Sequence, residues 1–285
     1  MTMRDFLELT KPRITGLILI CTAVGFAFGS PGALHFSLLV HALLGTALMA
    51  SGTAALNQWY EADSDAKMRR TNKRPIPAGR IKPVYALAFG ALLSIAGFAE
   101  LWFQTKPLAA VLGLFTLATY IGVYTPLKRR SAICTTVGAV PGAMPPLIGY
   151  AAASGRLDAG ALALFLILFV WQFPHFYAIA WMYREDYARG GIRMLPVIEP
   201  DGESTARRIV ACSLLLLPIS LVPRLLGMTG SIYVAAAIAA GLVLLYFGVR
   251  LGRERSLAGA RHVLLASVLY LPALLAVMLL DRHAW

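Results

Sequence analysis

Apolar stretches of roughly 17 to 23 residues recur along almost the whole chain, each long enough to cross a bilayer core of about 30 Å. They fall at 14–30, 36–57, 84–103, 107–125, 133–152, 160–182, 208–226, 230–249 and 262–280. In lipid the backbone must satisfy its own hydrogen bonds, and segments of this length do so as helices. The pattern therefore predicts an all-α integral membrane protein, with nine transmembrane helices in a single bundle. Charged residues make up only 14% of the chain, against roughly 25% in a soluble domain. No soluble domain fits between the spans, so residues 1–285 are expected to form one intramembrane domain with polar cytoplasmic loops at 58–83 and 183–207. The first span lacks a convincing small-residue cleavage site and is followed at once by a second span, unlike a removable signal peptide.

Basic residues set the expected orientation. Nine spans place the N-terminus, 58–83, 126–132, 183–207 and 250–261 on one side, and of the 26 Lys and Arg only Lys106, Arg156, Arg224 and Arg282 fall on the other. The positive-inside rule then puts the N-terminus in the cytoplasm and the C-terminus outside, in a multi-pass protein of the cell inner (plasma) membrane. The net charge of +12 fits this bias and attraction to anionic lipid headgroups, with a share left for an anionic substrate. Nucleic acid is not an expected partner; membrane lipids are. Cys21, Cys134 and Cys212 stand alone in apolar segments, with neither metal spacing nor an evident pairing.

With only 14 acidic residues, their placement is informative. The densest group closes the second span, where Asn57, Glu61, Asp65 and Arg69 succeed one another at i, i+4 steps on one face if the helix continues. Asp63 sits about 200° around from Glu61 and joins that face only if the helix bends. Two carboxylates and an amide oxygen one turn apart are hard oxygen ligands suited to Mg²⁺, which usually binds together with substrate phosphates. Lys67, Arg69, Arg70, Lys73 and Arg74 come directly after, so acids and bases are expected to share one anionic guest, a diphosphate.

A second polar group closes the sixth span. Gln172 and His175 lie in apolar sequence, Pro174 can break the helix, and broken backbone is tolerated where it faces a cavity. His175 is a candidate pocket residue, with contact to a bound metal such as haem iron as a narrower option. Glu185 and Asp186 are candidates for a second Mg²⁺, and Arg184, Arg189 and Arg193 for phosphate. Lys128 and Arg129 add basic groups after the fourth span, and Pro141, Pro145 and Pro146 interrupt the fifth. Gly16, Gly45 and Gly52 suit close helix approach. There is no phosphate-binding loop, dinucleotide fingerprint or nucleophile elbow. A transporter also uses broken helices and intramembrane polar groups, but its key charge belongs near mid-membrane, and here the acids gather at span ends.

The run from Asn57 through Asp65 into Met68-Arg69-Arg70-Thr71-Asn72-Lys73-Arg74-Pro75 resembles the first aspartate-rich motif of the UbiA-type intramembrane aromatic prenyltransferase superfamily. Lys11-Pro12-Arg13, Tyr124 to Arg129, Pro145 to Tyr150, Trp171 to Ala180 and Asp186-Tyr187 leading to Met194-Leu195-Pro196-Val197 narrow the resemblance to its protohaem IX farnesyltransferase (haem O synthase) branch. The resemblance implies Mg²⁺-dependent transfer of a farnesyl group from farnesyl diphosphate to a vinyl group of haem B, which is a substrate and not a resident cofactor. It implies catalytic roles for Asn57, Glu61, Asp65, His175 and Tyr177, and metal ligation by Asn57, Glu61 and Asp65 with Glu185 and Asp186. Diphosphate would fall to Arg69, Arg70, Lys73, Arg74, Lys128, Arg129 and Arg189. A haem A synthase or a terminal-oxidase assembly protein is the partner class implied. Two departures stand out: Glu61 replaces the common Asp, and Trp181 occupies the first acidic position of the second motif. A sister enzyme that prenylates a quinone precursor such as 4-hydroxybenzoate is the alternative.

Overall fold

The structure, a computed structural model, describes residues 2–30 and 32–283. Every element it forms is helical, and the helices gather into two compact units, Met1–Arg156 with Glu185–Arg193, and Leu157–Arg184 with Met194–Trp285. Among the described residues eight helices are long and apolar enough to cross a membrane, so the chain is an all-α, multi-pass membrane protein.

The first unit opens with a short helix, α1 (Met3–Leu9), whose start is fixed by a capping box. Thr2 accepts from the Asp5 backbone N–H while the Asp5 carboxylate accepts from Thr2. Then come α2 (Pro12–Gly29), α3 (Phe36–Tyr60), α4 (Ala62–Lys67), α5 (Pro83–Gln104) and α6 (Pro107–Thr119). Pro12, Pro83 and Pro107 each occupy a first helical position, where a missing N–H costs nothing. α6 runs into a single π-helical turn, Tyr120–Tyr124, and then α7 (Thr125–Leu127).

The fifth predicted span is two helices, α8 (Cys134–Gly142) and α9 (Met144–Ser154), joined at Ala143. Pro145 and Pro146 can start a helix but cannot donate into a continuous one, so the interruption expected from the prolines is present and no single helix crosses there. α3 lies along α5 and α2 along α9, and glycine makes both approaches possible. A Cβ on Gly52 would stand 2.7 Å from the Gly90 carbonyl oxygen, and one on Gly149 would run into the Thr22 carbonyl. Gly45 is similarly crowded, whereas Gly16 meets nothing within 4 Å and plays no such part.

The second unit holds α10 (Ala159–Met182), α12 (Leu195–Ile198), α13 (Glu203–Leu225), α14 (Ser231–Glu254) and α15 (Leu257–Leu280); most of α11 (Arg184–Arg189) belongs to the first. Pro174 does not break α10, contrary to the expectation from sequence. It removes one ladder bond, and the buried residues that flank it, from Ile167 to Trp181, hold the helix together through packing. The Tyr270 and Ser220 hydroxyls bond at 2.6 Å, and the Tyr233 hydroxyl donates to the Ser220 carbonyl at 2.7 Å.

Candidate active site

In the first unit the end of α3 delivers a row of polar side chains into the interior. Asn57, Glu61 and Asp65 are 2%, 8% and 1% exposed. The helix bends at Glu61, but the bonds from Glu61 N–H to Asn57 O (2.9 Å) and from Asp65 N–H to Glu61 O (2.8 Å) carry the i, i+4 register across the joint into α4. The three residues therefore share a face, as the spacing predicts. Arg69 does not join them, because α4 ends at Lys67 and the chain turns at Met68. Asp63 is exposed.

Each member of the row meets a cation. Lys11 Nζ donates to Asn57 Oδ1 at 3.1 Å, Lys128 Nζ to Glu61 Oε1 at 2.7 Å, and Arg74 Nη1 to Asp65 Oδ2 at 2.6 Å. Burial opposes charge on Glu61, but Lys128 outweighs it and holds the carboxyl below its usual range. Burial likewise opposes the charge on Lys128, yet Tyr124 and Glu61 keep its amine protonated well above the usual lysine range. Burial and the neighbouring Arg74 push the Lys11 amine down to about 7. Asp65 Oδ1 has no hydrogen-bond partner although it is buried. A carboxylate oxygen in that position is costly unless a further cation completes it, so the donor set fits a hard divalent ion. Among the described residues no group of three or more His, Cys, Asp or Glu could hold a metal by itself.

Other predicted residues take different places. Arg129 Nε bonds Ser64 Oγ at 3.1 Å, beside Asp65. Arg69 and Arg70 expose their side chains and donate their backbone N–H groups to Asp186, at 3.0 and 3.1 Å. Arg189 bonds the same carboxylate. Although burial opposes its charge, Arg189 and the two N–H groups hold Asp186 below the usual range. Asp186 thus latches the turn after α4 to α11, while Glu185 and Lys73 are exposed.

His175 and Tyr177 belong to the second unit. His175 Nδ1 lies 2.9 Å from Ser267 Oγ and its ring stacks on Trp171, whose indole N–H donates to the Ser267 carbonyl. Tyr177 is 1% exposed, and its hydroxyl accepts from Arg208 Nη1 at 3.0 Å.

Two members of the buried network are missing from the sequence reading of the site. Lys11 has left-handed backbone (φ 49°), immediately before Pro12, and Thr125 bonds Asn57 Nδ2 at 3.3 Å. The Lys-Pro pair at a span start was the available signal for Lys11; a lone threonine in a span gives none.

The model of the UbiA prenyltransferase family matches residues 18–280. The protoheme IX farnesyltransferase of Solibacter usitatus is 58% identical, covering 98% of this chain and 99% of the relative. That of Koribacter versatilis is 48% identical, covering 98% and 94%. Among solved structures, a digeranylgeranylglyceryl phosphate synthase superposes with a TM-score of 0.81 at 17% identity, over 98% of this chain and 97% of that one. A UbiA homolog from Archaeoglobus fulgidus bound to GPP and Mg²⁺ gives 0.71 at 17%, over 96% and 99%. At such identities these two carry the fold alone.

Proposed function

This chain belongs to the UbiA prenyltransferase family, and from that premise we propose that it transfers the farnesyl group of farnesyl diphosphate to a vinyl group of haem B, with addition of water, giving haem O and diphosphate. The observation that carries the reading is the end-to-end identity of 58% with a protoheme IX farnesyltransferase. The buried acid–base row supplies a chemical site that suits it.

The first acidic row is the proposed Mg²⁺ site, with Asn57 Oδ1, a Glu61 oxygen and the unpartnered Asp65 Oδ1 as ligands. When bound, the ion neutralises charge on the departing diphosphate. Lys11, Arg74 and Lys128 already lie beside these oxygens and can turn to the diphosphate as it binds, with Arg129 behind them; Arg69, Arg70, Lys73 and Arg189 attract it from the exposed rim. The C1–O bond of farnesyl diphosphate breaks as the vinyl π electrons bond to C1. Water then adds to the cation left beside the porphyrin and releases a proton. A second ion at Glu185 and Asp186 would share the Asp186 carboxylate with the Arg69 and Arg70 backbone N–H groups and with Arg189. His175, bonded to Ser267, and Tyr177, bonded to Arg208, are proposed as catalytic residues.

Counting the α8–α9 pair as a ninth crossing, the bias of basic residues supports an N-terminus in the cytoplasm and a C-terminus outside the inner membrane. The family match over 18–280 runs through both units, which supports treating 1–285 as one functional domain. A haem A synthase or an oxidase assembly protein is the proposed recipient of the product.

The test uses purified protein in lipid with haem B, farnesyl diphosphate and Mg²⁺, and mass spectrometry of the porphyrins. Haem O should form, and it should be absent with EDTA or in the E61A/D65A variant. Prenylated 4-hydroxybenzoate without farnesylated haem would replace the acceptor assignment with the sister activity.

A further inference from the structure

The π-helical turn ends by bonding the Thr125 backbone N–H to the Tyr120 carbonyl. The Thr125 hydroxyl also donates to that carbonyl, at 2.8 Å. A hydroxyl has one proton to give, so once it is committed to Tyr120 the oxygen can only accept. Facing it is the Asn57 amide, with Nδ2 at 3.3 Å, and both residues are almost fully buried. The opposite amide orientation would set two acceptors against each other without water to separate them, which leaves both unsatisfied. Hydrogen-bond direction therefore dictates that Nδ2 faces Thr125 and that Oδ1 faces Lys11 Nζ.

We infer that Thr125 is a positioning residue that locks the Asn57 amide with its oxygen toward the metal, and that the π turn serves to bring this hydroxyl within reach. The extra residue of a π turn shifts the register of the helix beyond it. Here it places Thr125 against Asn57 and, one turn later, Lys128 against Glu61. The inference rests on the proposed role of Asn57 as a ligand, and it concerns how that ligand is held and not whether it ligates.

The test is binding of Mn²⁺, in the presence of inorganic pyrophosphate, to the purified full-length protein, read by electron paramagnetic resonance. Thermal melting identifies the variants that are folded. T125V should weaken Mn²⁺ binding by about 10-fold, as loss of a ligand's supporting hydrogen bond generally does, while T125S should stay within about twofold of the parent. In an N57D background the same T125V change should cost nothing further, because a carboxylate presents an oxygen in either orientation. If T125V does not fold, T125A carries the same expectation. Parental affinity in T125V, equal weakening in T125S, or an undiminished loss in the N57D background would overturn the inference. A parent protein that binds no Mn²⁺ would instead bring down the metal reading of Asn57, and this inference with it.

Discussion

At the scale of single residues, one surface pair and one buried pair behave differently. Arg80 bonds Glu8 at the surface, at 2.7 Å, and such exposed pairs contribute about 0–1 kcal/mol. Lys128 and Glu61 are buried together, and removing one partner strands the other's charge. K128M should therefore destabilise the folded protein by about 3–5 kcal/mol, read as a lower melting temperature in detergent, and should abolish farnesyl transfer; E8A should leave the melting temperature nearly unchanged. The row Asn57, Glu61 and Asp65 was legible because i, i+4 spacing survives the bend at Glu61. Lys11 was not. It reaches Asn57 from 46 residues away, through a left-handed residue whose conformation no periodicity predicts. The role of Asp186 was also hidden, because its distant partners are the Arg69 and Arg70 backbone N–H groups, and those leave no mark on side-chain patterns.

At the scale of elements, α2 and α9 approach so closely that the neighbour of Gly149 is backbone, the Thr22 carbonyl, which cannot swing aside. G149A should lower thermal stability by about 1–3 kcal/mol, the usual penalty for overfilling a packed contact, whereas G16A, which meets nothing within 4 Å, should be neutral. Thr2 and Arg80 hold the Asp5 carboxyl below its usual value of 3.8. A depressed folded pKa means that the contribution of the cap is complete above the unfolded value and is lost as pH falls through the folded one. Hydrogen exchange in α1 should accordingly quicken below about pH 4, and in D5N it should be fast already at neutral pH. The break between α8 and α9 could be read from three prolines, but the continuity of α10 through Pro174 could not, since a proline's effect depends on the packing around it. The π turn carries no local signature at all.

At the scale of the molecule, the apolar periodicity was enough to give the all-α membrane class, while the number of crossings depends on how the broken α8–α9 pair is counted. Reporter fusions decide it: a periplasm-active enzyme fused after His283 should be active, and the same enzyme inserted in the 70–80 loop should not. Activity in the loop, or none at the C-terminus, would reverse the parity. The two-unit division lay beyond sequence reading, because it assigns Glu185–Arg193, late in the chain, to the unit built from its beginning. That assignment has a consequence for biosynthesis. The turn at Arg69 waits for a partner made 117 residues later, several seconds or more at roughly 5–20 residues per second. The nascent chain thus carries its acidic row into the bilayer with the adjoining turn unfastened, and completes that fastening only after α10 has left the ribosome.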